Sequence, residues 1–264
     1  MKPKILFVLS GLIACSLWIG GCNNDGPALE GVQLNMKAVT SLFTIPSGRI
    51  QESDLVFEQV FIGVTKVEFE TSEEDDHENM DGNSSGDDGD DDGNDDGDDD
   101  GNHDADDDNK AEFKGPFVVD LIAGTSTPEF GFGDVSPGHY DEIEIKLGPV
   151  LDNQNSVFIV FTYKPDGVNT TTVEFSTQKK IELEIDEPGG YELDANTLTN
   201  ILVLVDLDAL FVDIDLSAAD ADQDGVIRIN DTSNSKITEK ILSMFDKSCH
   251  AGEDNDHNDE FDDD

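Results

Sequence analysis

Apolar residues in this chain fall mostly at every second position, in short runs closed off by turn-forming residues. A period of two puts alternate side chains on opposite faces of an extended strand, so each run buries one face and wets the other. The run Gly63-Val64-Thr65-Lys66-Val67-Glu68-Phe69 sets its two valines and Phe69 to one side, with Thr65, Lys66 and Glu68 opposite. Just before it, Val56, Glu58 and Val60 alternate with Phe57, Gln59 and Phe61. The same reading holds for residues 117–121, 140–147, 157–163, 172–185 and 202–205, with Ile143, Ile145 and Leu147 pointing inward in the second of these. Ser136-Pro137-Gly138, Pro165-Asp166-Gly167 and Pro188-Gly189-Gly190 break the runs. About seven strands at this spacing predict an all-β fold, an antiparallel β-sandwich. Helix is scarce. The spacing predicts one over 234–247, where Ile237, Ile241, Met244 and Phe245 share a face and Asn234 or Ser235 caps the start. Leu207, Leu210, Phe211 and Ile214 fit a second, short helix over 206–215, or a continuation of the strand before it.

Residues 71–110 cannot join that core. They hold 20 acidic residues in 40, with glycines at 82, 86, 89, 93, 97 and 101 and hardly an apolar side chain besides Met80. Burial there cannot offset the entropy of ordering the chain. The segment is expected to be a disordered Asp/Gly-rich insertion into a single domain spanning 31–248. The stretch 249–264, with 8 acidic residues in 16, is expected to be a disordered acidic tail. The whole chain has 61 acidic against 15 basic side chains, a net charge of −46. A surface so negative repels phosphates and excludes unassisted nucleic-acid binding.

The N-terminus reads as an address. Lys2 and Lys4 precede an apolar stretch over 5–19, too short for a stable membrane span, and Ile19-Gly20-Gly21-Cys22 follows. That tetrad resembles the lipobox of bacterial lipoproteins, in which a cysteine after two small residues is acylated and becomes the mature N-terminus. The resemblance makes 1–21 a lipoprotein signal peptide, Cys22 the lipidation site and 22–30 a tether. Leu12-Ile13-Ala14-Cys15 fits the same pattern, but cleavage there leaves the apolar Ser16-Leu17-Trp18-Ile19 at the front, whereas Cys22 leads into the polar Asn23-Asn24-Asp25. An ordinary secretory signal with an incidental cysteine is the plainer alternative. Acyl chains anchor a protein because each buried CH₂ contributes about 0.8 kcal/mol. The expected place is the bacterial cell envelope, extracytoplasmic and lipid-anchored, with the outer membrane preferred over the inner.

Three stretches carry a family resemblance. Residues 61–69, the short Val119-Asp120-Leu121 and the turn-to-strand Val135-Ser136-Pro137-Gly138-His139-Tyr140-Asp141-Glu142-Ile143 are similar to those of the bacterial lipoproteins catalogued as domain of unknown function 4382. The similarity covers roughly 31–205. It implies a prealbumin- or transthyretin-like sandwich and no established activity, and it says little about the Asp/Gly insertion or the chain after Asp206.

One constellation has metal-ligand spacing. Asp220-Ala221-Asp222-Gln223-Asp224-Gly225-Val226-Ile227-Arg228-Ile229-Asn230-Asp231 looks like the twelve-residue calcium loop of EF-hands and dockerins. Carboxylates at the first, third and fifth places converge on a hard cation, and glycine at the sixth allows the tight turn. The Val226 carbonyl is the seventh-position ligand, and Ile227 pairs into a neighbouring strand. The expected Ca²⁺ ligands are therefore Asp220, Asp222, Asp224, Val226 and Asp231. Arg228 at the ninth place cannot ligate, and Asp231 is shorter than the usual glutamate, so weak binding is expected. The plain alternative is an acidic surface turn.

Other candidates are weaker. His77, His103, His250 and His257 lie in the acidic segments, where Cys249-His250 with His257 would suit loose Zn²⁺, Ni²⁺ or Cu²⁺ binding, or be ordinary solvated tail. His139 follows a Pro-Gly turn and reads as the start of a strand. Glu142 with Glu144, and Glu182 with Glu184, mimic paired catalytic carboxylates but read as the wet face of a sheet. No nucleophile elbow, zincin helix, phosphate loop or dinucleotide fingerprint is present in the sequence. The expectation is a noncatalytic, calcium-dependent binding or surface-structural lipoprotein whose protein or polysaccharide ligand is unknown. The alternatives are a divalent-cation buffer that works through the Asp/Gly loop, or a glycan-active enzyme. The lone Trp18 lies in the signal, which leaves the mature chain without the residue sugar platforms use most.

Overall fold

The computed structural model describes residues 31–40, 55–71, 111–133, 136–164, 169–194 and 197–262. Cys22 and residues 72–110 of the Asp/Gly insertion lie outside them. The strands run in chain order as β1 (Gly31–Val39), β2 (Leu55–Glu70), β3 (Ala111–Asp120), β4 (Thr125–Thr127), β5 (Phe132–Gly133) and β6 (Gly138–Leu147). They continue as β7 (Val157–Tyr163), β8 (Thr171–Thr177), β9 (Ile181–Leu193), β10 (Leu198–Asp206), β11 (Ile227–Ile229) and β12 (Cys249–Glu253). Three short helices, α1 (Leu207–Phe211), α2 (Ser235–Leu242) and α3 (Phe245–Ser248), all lie after β10.

The strands form two sheets that share one core, an all-β sandwich. The smaller sheet has the order β12-β10-β1-β5, and the larger follows β11-β8-β7-β2-β3-β4, with β6 joining β2 to β9. Leu34 and Met36 of β1 and Val203 of β10 pack in the same cluster as Phe69, Ile145 and Phe161 of the larger sheet. Most pairs are antiparallel, but β1 runs parallel to β10 and β11 parallel to β8. The all-β sandwich is as expected, and two details extend it: the sheets include parallel pairs, and the described residues hold twelve strands where alternation showed about seven. Several of the additional strands have only two or three residues, too few for alternation to register.

The long strand β2 is the trunk of the larger sheet. Its first half pairs with β7 and its second half with β6, and the junction is at Gly63, which donates to Ser156 and accepts from Gly148. Irregularities between Phe57 and Gln59 and between Val64 and Lys66 insert a residue and shift the faces. Val56 is consequently 54 % exposed while Val60 is buried, although simple alternation puts them together. The second irregularity lets Val64, Val67 and Phe69 all face the core, although the three-residue step from Val64 to Val67 breaks strict alternation.

Residues 172–185, expected as one strand, divide at Gln178-Lys179-Lys180 into β8 and β9. In β10 the positions from Thr199 to Asp206 are all buried. Both faces of this strand are covered, which explains its unbroken Ile201-Leu202-Val203-Leu204-Val205 run.

The region after β10 also departs from expectation. The helix foreseen over 206–215 is the shorter α1, and buried Asp206 caps it by accepting from the N–H groups of Asp208 and Ala209. The one foreseen over 234–247 is broken after Leu242 into α2 and α3. Asn234 precedes α2 in a left-handed conformation and makes no side-chain cap. The segment from Cys249 is not a disordered tail at its start, because β12 pairs antiparallel with β10 and buries Cys249 and Ala251 in the core. Its apolar alternation rests on two small side chains, which the surrounding charge outweighs in any composition-based reading.

Candidate metal centre

The turn over 220–226 lies between the 3-10 turn Leu216–Ala218 and β11. Gly225, at φ +83°, allows it to close, and its N–H donates to the Asp222 carbonyl at 2.9 Å. Asp222 N–H donates to the Val226 carbonyl at 2.8 Å, and Val226 N–H to Asp224 Oδ1 at 3.1 Å. Beyond the turn, Ile227 and Ile229 of β11 pair with Val173 and Phe175 of β8 and bury their side chains. Alternation sends the intervening Arg228 to the opposite face, toward the carboxylates.

Arg228 takes the central place among them. Its Nη1 lies 2.6 Å from Asp222 Oδ2, its Nη1 and Nη2 lie 3.2 and 3.0 Å from the two oxygens of Asp224, and its Nε lies 3.0 Å from Glu174 Oε2. This two-pronged pairing is the geometry in which a guanidinium matches a carboxylate best. Hydrogen bonds from Arg228, followed by the Val226 N–H, hold the Asp224 carboxyl below the usual range.

The five expected ligands are only partly brought together. Asp222 and Asp224 converge on one cationic group. Asp220 is pinned through its backbone, its N–H donating to Asn234 Oδ1 and its carbonyl accepting from Asn234 Nδ2. The Val226 carbonyl is turned to the Asp222 N–H. The Asp231 carboxylate points away to the end of β8, where it accepts from Thr177 Oγ1 at 3.0 Å and Gln178 N–H at 3.1 Å. It fastens the far end of the segment to the larger sheet. The sequence marked Arg228 as a position that cannot ligate and missed its role as counter-ion, although a cation four residues beyond Asp224 was visible.

A second carboxylate group lies on the outer face of the larger sheet. Glu68, Glu70 and Glu144 bring oxygen atoms within 4.8 Å of one another. Glu68 also pairs with Lys66 at 2.5 Å and Lys146 at 3.3 Å, and Glu144 with Lys146 at 2.8 Å. Burial, together with hydrogen bonds to Glu182 and Glu68, pushes Glu144 up to about 7, although Lys146 opposes the shift. Burial also acts to raise Glu68, but hydrogen bonds from Lys66, Glu144 and Lys146 outweigh it and hold that carboxyl down to about 2. Glu144 and Glu68 are cross-strand neighbours, and a raised Glu144 carboxyl donates to Glu182 and Glu68 where ionised carboxylates would repel one another. The face expected to be simply wet is thus half-closed over a lysine–glutamate network.

The histidine and cysteine candidates are separated. Cys249 faces the core, where burial pushes its thiol up to about 12, and His250 points to the other face of β12. The two cannot bind one soft metal ion together. His139, near the start of β6, lies 3.0 Å from Asp141 and 3.4 Å from Glu192. A third acidic group, Asp254, Asp256 and Asp262, was missed because the segment read as solvated tail. Its signal was the oxygen-bearing alternation Asp254-Asn255-Asp256-His257-Asn258.

Comparison of the chain with protein-family models, with curated proteins and with solved structures finds no match.

Proposed function

We propose that this chain is a lipid-anchored, extracytoplasmic lipoprotein whose β-sandwich acts as a noncatalytic binding or surface-structural module and takes calcium at the Asp220 turn. The observation that carries the calcium reading is the convergence of Asp222 and Asp224 on a single positive centre. Gathering carboxylates on one turn is unfavourable unless a cation lies among them. Arg228 supplies that charge from within, and Ca²⁺ competes with it for the same oxygens, joined by Asp220. Competition with an internal cation, and the commitment of Asp231 to Thr177 and Gln178, both support weak binding, in the extracellular range of about 10⁻⁴ to 10⁻³ M. The Ile19-Gly20-Gly21-Cys22 tetrad supports the anchored, extracytoplasmic part of the reading.

Equilibrium dialysis against ⁴⁵Ca²⁺ tests the reading. One ion removed by Asp220→Ala with Asp224→Ala is the expected outcome. Uptake of many weak ions, lost on deleting 73–109 and indifferent to Asp220 and Asp224, would replace it with a cation buffer working through the Asp/Gly segment.

A further inference from the structure

The chain after β12 folds back over the outer face of the smaller sheet. In β10 and β12, Ile201, Val203, Val205, Cys249 and Ala251 face the core. Leu202, Leu204, His250 and Gly252 therefore face outward, and the register pairs Leu202 with Gly252. The ring of Phe261 lies on Gly252 so closely that a Cβ there would come within 2.7 Å of it. Asp262 N–H donates to the Glu253 carbonyl at 2.8 Å, which closes residues 254–262 into a loop.

Three carboxylates converge in this loop. Oxygens of Asp254, Asp256 and Asp262 lie within 4.8 Å of one another. Two ligands on opposite sides of a calcium ion, each at about 2.4 Å, would be about 4.8 Å apart. Backbone donors hold the oxygens in place: Asn258 N–H to Asp254 Oδ1 at 2.9 Å, Asp259 N–H to Asp254 Oδ2 at 3.3 Å, and Asn255 N–H to Asp262 Oδ2 at 2.9 Å. Each carboxylate oxygen keeps a further lone pair for a metal.

Two independent features separate this cluster from an ordinary acidic turn. Asp254 is only 4 % exposed, yet among the described residues none of the three carboxylates pairs with Lys or Arg, whereas neighbouring Asp259 pairs with Lys37. A buried carboxylate without a counter-ion is costly. The second feature is Asn200. It lies one step beyond the Ile201–Glu253 pair, directly opposite Asp254, to whose N–H its carbonyl is bonded at 2.9 Å. Its side chain shares the outward face with Leu202, which lines one hollow with Asp254, His257 and Asp259. Asn200 is 5 % exposed, and its Oδ1 has no hydrogen-bond partner among the described residues. A buried, unsatisfied oxygen on the same sheet face as a buried carboxylate, and in register with it across the strand pair, is a poor arrangement without a cation and a suitable one with it.

We propose that residues 254–262 form a second calcium site, in which Asp254, Asp256 and Asp262, with Asn200 Oδ1 beneath them, take one ion and clamp the end of the chain over the smaller sheet. The all-oxygen donor set suits a hard cation, and irregularly spaced carboxylates fit calcium, which accepts variable geometry, better than magnesium, which demands a near-ideal octahedron. The site uses the same chemistry as the Asp220 turn and none of its residues, so either can fail alone.

Amide hydrogen exchange of the full chain, in chelator and at free calcium held at 10 mM, tests it. The amides of Asn258, Asp259 and Asp262 report the loop. For an ion bound at about 10⁻³ M, their exchange should slow about tenfold. The same slowing is expected in Asp220→Ala with Asp224→Ala, and it should vanish in Asp256→Asn with Asp262→Asn. Both of the latter positions are exposed, and asparagine keeps an acceptor for the N–H groups now bonded to aspartate. Unchanged exchange in the wild type, or equal slowing in Asp256→Asn with Asp262→Asn, would overturn the site. Loss of calcium dependence at 220–226 alone would overturn only the Asp220 reading.

Discussion

Arg228 and Asp224 meet in a two-pronged pair, with Nη2 3.0 Å from Oδ2 and Nη1 3.2 Å from Oδ1. The same guanidinium reaches Asp222 and Glu174, so one positive charge is shared among three carboxylates at the edge of the larger sheet. Any ion entering the turn must displace it.

Replacing Arg228 with glutamine should therefore improve calcium binding. The pair is partly exposed to water, so the gain is small, with the dissociation constant falling by roughly threefold. Without calcium the variant should melt below the wild type, because Asp222 and Asp224 lose their counter-ion. Calcium titration followed by thermal unfolding measures both effects, and weaker binding in Arg228→Gln would mean that the arginine supports the site.

The glutamate network makes its own pH signature. Glu144 has its carboxyl raised from 4.5 to about 7 in the folded chain, so the native state holds a proton that the unfolded state releases. Its contribution to stability is fully present below pH 4.5 and is lost as pH rises through about 7. Glu68, lowered to about 2, behaves oppositely: its contribution is present above pH 4.5 and is lost as pH falls toward 2. In Glu144→Gln the amide keeps a donor for Glu68 and cannot ionise. Melting temperatures at pH 5 and pH 7.5 should fall less in this variant than in the wild type. Equal falls would assign the pH dependence to the overall negative charge.

Much of the sandwich was legible because Val, Ile and Phe at alternate positions make strands with one buried face. Legibility failed where a single residue shifts the phase, as between Phe57 and Gln59, and where a strand is too short to show a period, as in β11. It failed again in β12, whose inward side chains are only Cys249 and Ala251. The calcium-like turn was visible as residue spacing, and Ile227 does pair into a neighbouring strand. What spacing cannot show is where a side chain finds its partner. Asp231 is drawn to Thr177 and Gln178 at the end of β8, 53 residues or more away in sequence, and Arg228 folds back onto carboxylates that precede it.

The anchoring reading is tested at Cys22. Cells fed labelled palmitate should incorporate it into the wild-type chain and not into Cys22→Ser, which should accumulate uncleaved or be released in soluble form. Continued labelling of the variant would move the modification to Cys15 or end the lipoprotein reading.

Thermal unfolding in chelator and in 10 mM CaCl₂, on the wild type and on Asp220→Ala with Asp224→Ala, tests most directly whether calcium acts through the turn. An ion that binds only the native state at about 10⁻³ M should raise the wild-type melting temperature by about 3–5 °C more than that of the double variant. Equal calcium-induced shifts in the two proteins would contradict the account and leave the Asp220 turn as a surface turn neutralised by Arg228.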